Sequence, residues 1–260
     1  MEIKFLGTGA SEGVPVIGCK CKHCSISLND SKSTRLRSSI LLANNDEFLL
    51  IDPGVDTRQQ LLKYRINRID VIVVTHEHYD HVYGLKEFKY WNNSEKDNPN
   101  VTLCAPQSLL REILFLAESA IQSGKLTLKP ITPYVFTTIG AFKIKPIRIA
   151  HTKHSFGYVI ESGNTKFVYL SDIAEVNRTI IDKYTHHLSK SDYFVVNTPF
   201  FVGQKGRHIG VLEAIELGKR FESRHTILNH FNHHNKSYSD LVLSVNNTAI
   251  ISFDGMVVRK

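Results

Sequence analysis

The stretch Thr75-His76-Glu77-His78-Tyr79-Asp80-His81 gathers metal-ligand side chains, with His76, His78, Asp80 and His81 crowded together. In an extended segment alternate side chains point the same way, so the imidazoles of His76 and His78 can meet one ion. Asp80 and His81 follow where the chain is expected to turn into a helix near Val82, which aims them at a second ion close by. Two divalent ions about 3.5–4 Å apart share a bridging water and hold both the attacking and the leaving oxygen of an in-line displacement. The chemistry implied is metal-assisted hydrolysis.

Side chains like these must be positioned, and apolar runs do so throughout the chain. Thr75-His76 follows the strand candidate Val71–Val74, and Asp52-Pro53-Gly54 follows Phe48–Ile51. Gly7-Thr8-Gly9 follows Ile3–Leu6, His151 follows Phe142–Ile149, Asp172 follows Lys166–Leu170 and His230 follows Thr226–Leu228. Polar residues at strand ends are how an α/β framework assembles one shared site. Helix candidates alternate with these strands at Thr57–Tyr64, Val82–Tyr90, Gln107–Ser123, Ala174–His187, Gly210–Phe221 and Ser237–Val245. The third carries an apolar stripe of Leu109, Ile113, Leu116, Ala117 and Ala120. Alternation of this kind is an α/β signature. No internal repeat and no Pro/Gly/Ser-rich linker divides the chain, so residues 1–260 are expected to form a single domain. The long irregular stretches Thr8–Ser38 and Thr198–Ile209 are expected to line the site.

The first of those stretches holds a second cluster, Cys19-Lys-Cys21-Lys-His23-Cys24. Cysteines this close suit a metal better than a disulfide framework. The remaining cysteine, Cys104, follows Val101-Thr-Leu and reads as a small buried apolar residue.

Composition narrows the class. With 42% hydrophobic and 22% charged residues in 260, the chain can bury a large core, which excludes a disordered chain or a coiled coil. No apolar run approaches the roughly 20 residues of a membrane-spanning helix. The N-terminus lacks the pattern of a secretory signal, so a cytoplasmic protein without membrane attachment is expected. A net charge of +7 favours anionic ligands. The basic residues are scattered, however, and nucleic acid is not the expected partner. No Gly-x-Ser-x-Gly elbow and no phosphate-binding Gly-x-x-x-x-Gly-Lys-Ser/Thr loop occurs, which argues against serine-hydrolase and P-loop chemistry.

His76-x-His78-x-Asp80-His81 resembles the signature of the metallo-β-lactamase-fold hydrolases. The resemblance runs from Leu6-Gly-Thr-Gly9 to Phe253-Asp-Gly-Met256 and implies an αββα four-layer sandwich with a dinuclear site at one edge of its sheets. It implies that His76, His78 and His151 hold one ion, that Asp80, His81 and His230 hold the other, and that Asp172 bridges them. Asp52 would stand behind the ligands and hydrogen-bond a metal-ligating histidine. Zinc or manganese both suit such donors, as does iron.

The segment from Gly9 to Cys24 is similar to the N-terminal region of the phosphoribosyl cyclic phosphate phosphodiesterases, in which three cysteines and a distant histidine form a structural zinc site. Here that set is Cys19, Cys21, Cys24 and His233, with His23 and His234 as competitors for the fourth place, and the zinc would pin the loop at about 8–38. The resemblance implies hydrolysis of a small or cyclic anionic phosphodiester by a hydroxide bridging the two metals, and a homodimer. Asp80 and His208 would be catalytic, His208 as general acid to the leaving alkoxide. Arg207 and Lys205 are candidates to hold phosphate or ribose.

One stretch departs from that subgroup: Asn197-Thr-Pro-Phe-Phe replaces an Asp-Cys-Ser-His run, which suggests a pocket made more apolar by Phe200 and Phe201. The alternatives are an RNA-processing nuclease of the same fold, resembling the tRNA 3′-end endonucleases but without their inserted arm, and a non-hydrolytic metal-binding protein.

Overall fold

Side chains alternate along the central strands between two separate apolar clusters, and this alternation sets the layering. The computed structural model describes residues 1–92, 100–174, 184–204 and 206–260. One sheet comprises β1 (Glu2–Gly7), β2 (Ser39–Asn44), β3 (Glu47–Ile51), β4 (Val71–Val73), β5 (Val101–Ala105) and β6 (Leu126–Pro130), with β14 (Val257–Arg259) added beside β1. The other runs β13-β12-β11-β10-β9-β8-β7. It comprises β7 (Thr137–Ile139), β8 (Phe142–Arg148), β9 (Phe156–Ser162), β10 (Thr165–Leu170), β11 (Tyr193–Asn197), β12 (His225–Asn229) and β13 (Ile250–Ile251). In the second sheet Phe167, Tyr169, Tyr193, Val195 and Ile227 belong to the core shared with the first sheet. Their neighbours Val168, Leu170, Phe194, Val196 and Leu228 belong to a cluster on the outer face. A period of two with both faces apolar means that each sheet is covered on both sides.

The helices supply the outer layers. On one side α2 (Thr57–Lys63), a 3-10 helix (Tyr83–Tyr90) and α4 (Gln107–Gln122) cover the first sheet, α4 burying the expected stripe together with Leu110. On the other, α5 (Val211–Arg220) buries Val211, Ala214, Ile215 and Leu217 and α6 (Tyr238–Val245) buries Leu241 and Val245. Each fully buried Leu, Ile, Val or Phe contributes roughly 1.5–3 kcal/mol. The result is an α/β/β/α sandwich. Among the described residues no helix is long and apolar enough to cross a membrane.

Both sheets share one pairing plan, although no sequence repeat reveals it. Strands β1 to β3 are antiparallel and β3 to β6 parallel, while β7 to β10 are antiparallel and β10 to β13 parallel. The strands that end in Asp52, His76, Asp172 and His230 all lie in or border the parallel halves, and their carboxyl ends open on the same edge, where α/β sheets place their ligands.

Several elements differ from the sequence reading for physical reasons. The helix expected at Val82–Tyr90 is a one-turn α3 (Tyr79–Val82) followed by the 3-10 helix. There the Gly84 N–H is drawn to the Pro53 carbonyl at 2.8 Å. Strands β6 and β7 lack an apolar pattern because both are exposed edges. The irregular stretch Thr8–Ser38 contains a short helix, α1 (Lys22–Ser27), and is closed at its neck by reciprocal hydrogen bonds between Val14 and Arg35. Most of the helix expected at Ala174–His187 lies outside the described residues.

Candidate metal centre

Two strained turns bring the ligand groups to the sheet edge. Asp52, leaving β3, and His230, leaving β12, adopt positive φ of 55° and 64°. Such backbone costs of order 1–3 kcal/mol in a residue with a side chain and concentrates at functional sites. Beyond Asp52, Gly54 allows the chain to pass against α3: a Cβ there would lie 1.9 Å from the Asp80 carbonyl oxygen. The Asp-Pro-Gly turn therefore buttresses the start of the helix that carries Asp80 and His81.

Hydrogen bonds then orient each ring. The Asp52 carboxylate accepts from the Thr75 N–H at 2.8 Å and from the Thr75 hydroxyl at 2.9 Å. It also accepts from His81 Nδ1 at 2.8 Å, which leaves His81 Nε2 facing inward, buried and without a hydrogen-bond partner. With its own proton given to Asp52, the Thr75 hydroxyl accepts from His76 Nδ1 at 3.0 Å, and the His76 Nε2 lone pair also faces inward.

The inward atoms meet in two groups. His76, His78, His151 and Asp172 form one, Asp80, His81 and His230 the other, and within each group the ligand atoms lie within 4.8 Å of one another. The Asp172 carboxylate stands between the two groups. Its oxygens lie 3.6 Å from His76 Nε2, 3.8 Å from His81 Nε2, 3.7 Å from His151 Nε2 and 3.5 Å from His230 Nε2. Asp80 lies 3.3 Å from His81 Nε2 and 3.9 Å from His230 Nε2. Between His76 Nε2 and His78 Nδ1 the separation is 2.9 Å.

The electrostatics favour positive charge at this place. Burial would raise the pKa of the Asp172 carboxyl, but the surrounding imidazoles, His230 foremost, hold it well below the usual carboxylate range. Burial would lower His81, yet Asp80 and Asp52 raise it well above its ordinary value. Burial keeps His76 well below its usual value and His151 down to about 4, so both present neutral nitrogens. The neutral nitrogens of His76 and His151, converging beside the ionised Asp172 carboxylate, suit a divalent cation.

Behind the ligands lies a layer that sequence reasoning missed. The Asn197 amide donates to Asp172 Oδ1 at 3.2 Å and to the Ser171 hydroxyl at 3.5 Å, and Ser171 in turn lies 3.1 Å from the Thr75 hydroxyl. Asn197 is therefore buried beneath Asp172 and does not shape the substrate pocket. Phe201 turns from the pocket and packs its ring 3.6 Å from Lys236 Nζ. Of the residues expected to make the pocket apolar, Phe200 lines it, beside Pro199.

That pocket encloses about 190 Å³ and opens onto His78, Asp80, His151, Asp172 and His230. His208 is on its wall, its ring 5.3 Å from that of His151. The His208 loop is stitched to the loop of Asp172 by Ile209 N–H donating to the Ile173 carbonyl at 3.1 Å. Burial lowers the pKa of His208, a shift that Asp172 opposes. Arg207 is exposed and is not on this wall, and Lys205 lies outside the described residues.

The thiols gather separately. Cys19, Cys21, Cys24 and His233 place their ligand atoms within 4.8 Å of one another, with His233 Nδ1 3.4 Å from the Cys19 sulfur and 3.7 Å from that of Cys21. Of the competitors for the fourth place, His23 is buried outside the group and His234 lies tilted against His233, ring centroids 3.9 Å apart and also outside the group. Burial would raise the Cys21 thiol, but the Cys24 N–H and the His233 side chain outweigh it and bring it down to about 6. A thiolate and an imidazole nitrogen among clustered sulfurs are zinc-type donors.

Comparison with known proteins places this geometry. The chain matches an octanoyltransferase of Porphyromonas gingivalis with 26% identity over 90% of its own length and 46% of that protein's. It matches ribonuclease Z of Listeria monocytogenes with 27% identity over 62% of its own length and 49% of that protein's. The chain thus spans about half the length of these curated relatives. Among solved structures, a diphosphatase of the PhnP family superposes with a TM-score of 0.84 at 22% identity, covering 100% of this chain and 97% of the other. Zinc-bound PqqB from Methylobacterium extorquens gives 0.83 at 18% identity, with both chains covered in full at 100%. Human short-form tRNase Z gives 0.73 at 20% identity, over 100% and 99%. These likenesses establish the fold. The profile of the beta-lactamase superfamily domain matches residues 48–231, from β3 to the turn beyond His230, and the chain belongs to that superfamily, with the metallo-β-lactamase fold.

Proposed function

We propose that this chain is a metal-dependent phosphodiesterase for small or cyclic phosphodiesters. It would hold two divalent cations, zinc or manganese, at the His/Asp centre and one zinc at the Cys/His cluster. The observation that carries the reading is the place of Asp172: one buried carboxylate within 3.8 Å of His76, His81, His151 and His230, at a pocket that His208 also lines. His76, His78 and His151 would hold one cation and Asp80, His81 and His230 the other, with Asp172 shared. Bound there, such cations polarise an ester oxygen and lower the pKa of water toward neutrality.

The protein's own groups do the rest. Asp52 and Thr75 select the ring nitrogens that His81 and His76 present, and Asn197 holds Asp172 in place. His208 gives a proton to the leaving alkoxide. Pro199 and Phe200 supply an apolar wall against which the alcohol portion packs. A volume of about 190 Å³ suits a phosphate with a small organic group. The diphosphatase and ribonuclease Z named above both act at phosphorus, which supports phosphorus as the electrophile. The octanoyltransferase name belongs to a protein of which this chain covers 46%, and acyl transfer is not carried over.

Metal analysis combined with turnover of bis-p-nitrophenyl phosphate tests the proposal. Activity should be lost on chelation and return with zinc or manganese. A fully metal-loaded protein that leaves the diester intact overturns it. The ribonuclease Z matches favour a second reading, cleavage of a tRNA precursor, and a pre-tRNA transcript offered to the same sample distinguishes the two.

A further inference from the structure

The wall of the 190 Å³ pocket contains a carboxylate that neither ligand group uses. Ser11, Glu12 and Asn232 complete the wall beside the ligands and the apolar residues. No Lys or Arg lines it among the described residues. Glu12 is half-buried and fixed: Oε1 accepts from the His233 N–H at 3.4 Å and Oε2 from the Ser11 hydroxyl at 3.3 Å. The Ser11 carbonyl behind it accepts from Arg37 Nε at 3.0 Å and from the Tyr79 hydroxyl. Both contacts to the carboxylate are long, and a carboxylate has about four lone-pair positions, so this wall residue keeps accepting capacity to spare.

A negative charge in a pocket that receives an anion is a cost unless it discriminates. A phosphodiester carries one negative charge, whereas a terminal phosphate gains a second near neutral pH, with a pKa of about 6. A carboxylate repels that second charge and accepts hydrogen bonds from hydroxyl groups on the alcohol portion. We infer that Glu12 is a specificity residue that selects monoanionic phosphodiesters bearing hydroxyls and rejects terminal phosphates and diphosphates. This rests on the phosphodiesterase reading for its substrate class, but the discrimination between charges can be read without turnover.

The experiment is calorimetric titration of metal-loaded wild-type and Glu12→Gln proteins with inorganic phosphate and with dimethyl phosphate. Glutamine keeps an acceptor for the His233 N–H, and metal content is measured on each sample. The substitution should tighten inorganic phosphate at least tenfold and dimethyl phosphate less than threefold. Equal shifts for both ligands, or none, overturn the inference. Glu12→Ala supplies the hydroxyl arm: the wild type should favour glycerol 1,2-cyclic phosphate over propane-1,2-diol cyclic phosphate by about tenfold in kcat/KM, and the variant should lose that preference. An unchanged preference removes the hydroxyl role. Turnover of bis-p-nitrophenyl phosphate by the same wild-type sample judges the enzyme reading separately: the phosphate shift without turnover keeps the charge sieve and sinks the phosphodiesterase.

Discussion

The two ligand clusters are built in different ways. At the His/Asp centre the ligands leave strand ends of two packed sheets, and the rings of His76 and His81 are fixed from behind by Thr75 and Asp52. At the Cys/His cluster the thiols stand on a loop whose regular structure is the short α1, and Cys19 and Cys21 are only half-buried. The cluster's sulfurs make long contacts of 3.3–3.7 Å, to the Val16 and Cys24 N–H groups and to His233. The difference teaches that hydrogen bonds from the sheets hold the first cluster in shape, whereas at the second a bound metal would itself supply much of what holds the thiols together.

The largest effect expected is at the shared carboxylate. Asp172→Ala should abolish turnover of bis-p-nitrophenyl phosphate and release ions from the His/Asp centre, while circular dichroism still reports a folded sandwich. A variant with full metal and a tenth of the activity would break the preorganised side of the comparison. His208→Ala should lower kcat by roughly 10²–10⁴ and leave metal content unchanged. Retained activity would remove His208 from proton transfer. Asp52→Asn weakens the support behind His81 and should cost about 10–100-fold in metal affinity, read by competition with a chelator.

How far each site could be read from sequence follows from the same contrast. His76, His78, Asp80 and His81 are adjacent in the chain, and His151, Asp172 and His230 share the strand-end phase, so their convergence was legible. Thr75, Ser171 and Asn197 were not, because their roles arise from partners that only folding brings close: Thr75 to Ser171 spans 96 positions. The positive φ of Asp52 and His230 carries no glycine or asparagine to announce it. Edge strands β6 and β7 escaped because exposure erases the apolar period. Glu12 lay within a segment dominated by its cysteines, and its place on the pocket wall depends on the His233 backbone far away in the chain.

Cys21→Ser tests the other side of the comparison. It should lose about one zinc per chain and expose residues 15–34 to proteolysis. Turnover per folded molecule should stay within about twofold, since Gly9, Val14 and Arg35 close the neck of the loop without any thiol. A loss as large as that of Asp172→Ala would show that the two clusters act as one.

The neck itself carries a pH-sensitive group, and its effect on the His/Asp centre is the smallest expected. Asp254 joins the two sides, accepting from the Thr8 hydroxyl and from the Leu36 N–H, each at 2.7 Å. Burial raises its carboxyl to about 6, against the pull of those donors and of Arg35. Because the folded pKa exceeds the unfolded one, the folded protein holds this proton more tightly. The contribution to stability is complete below about 3.8 and is lost as pH rises through about 6. The span corresponds to about 3 kcal/mol. Asp254→Asn removes the titration, so the stability advantage of wild type over the variant in urea unfolding should shrink by up to about 3 kcal/mol between pH 4 and 7. If that advantage stays flat with pH, Asp254 does not govern the neck. If it shrinks while bis-p-nitrophenyl phosphate turnover per folded molecule holds, the loop and the His/Asp centre are separable in energy as they are in construction.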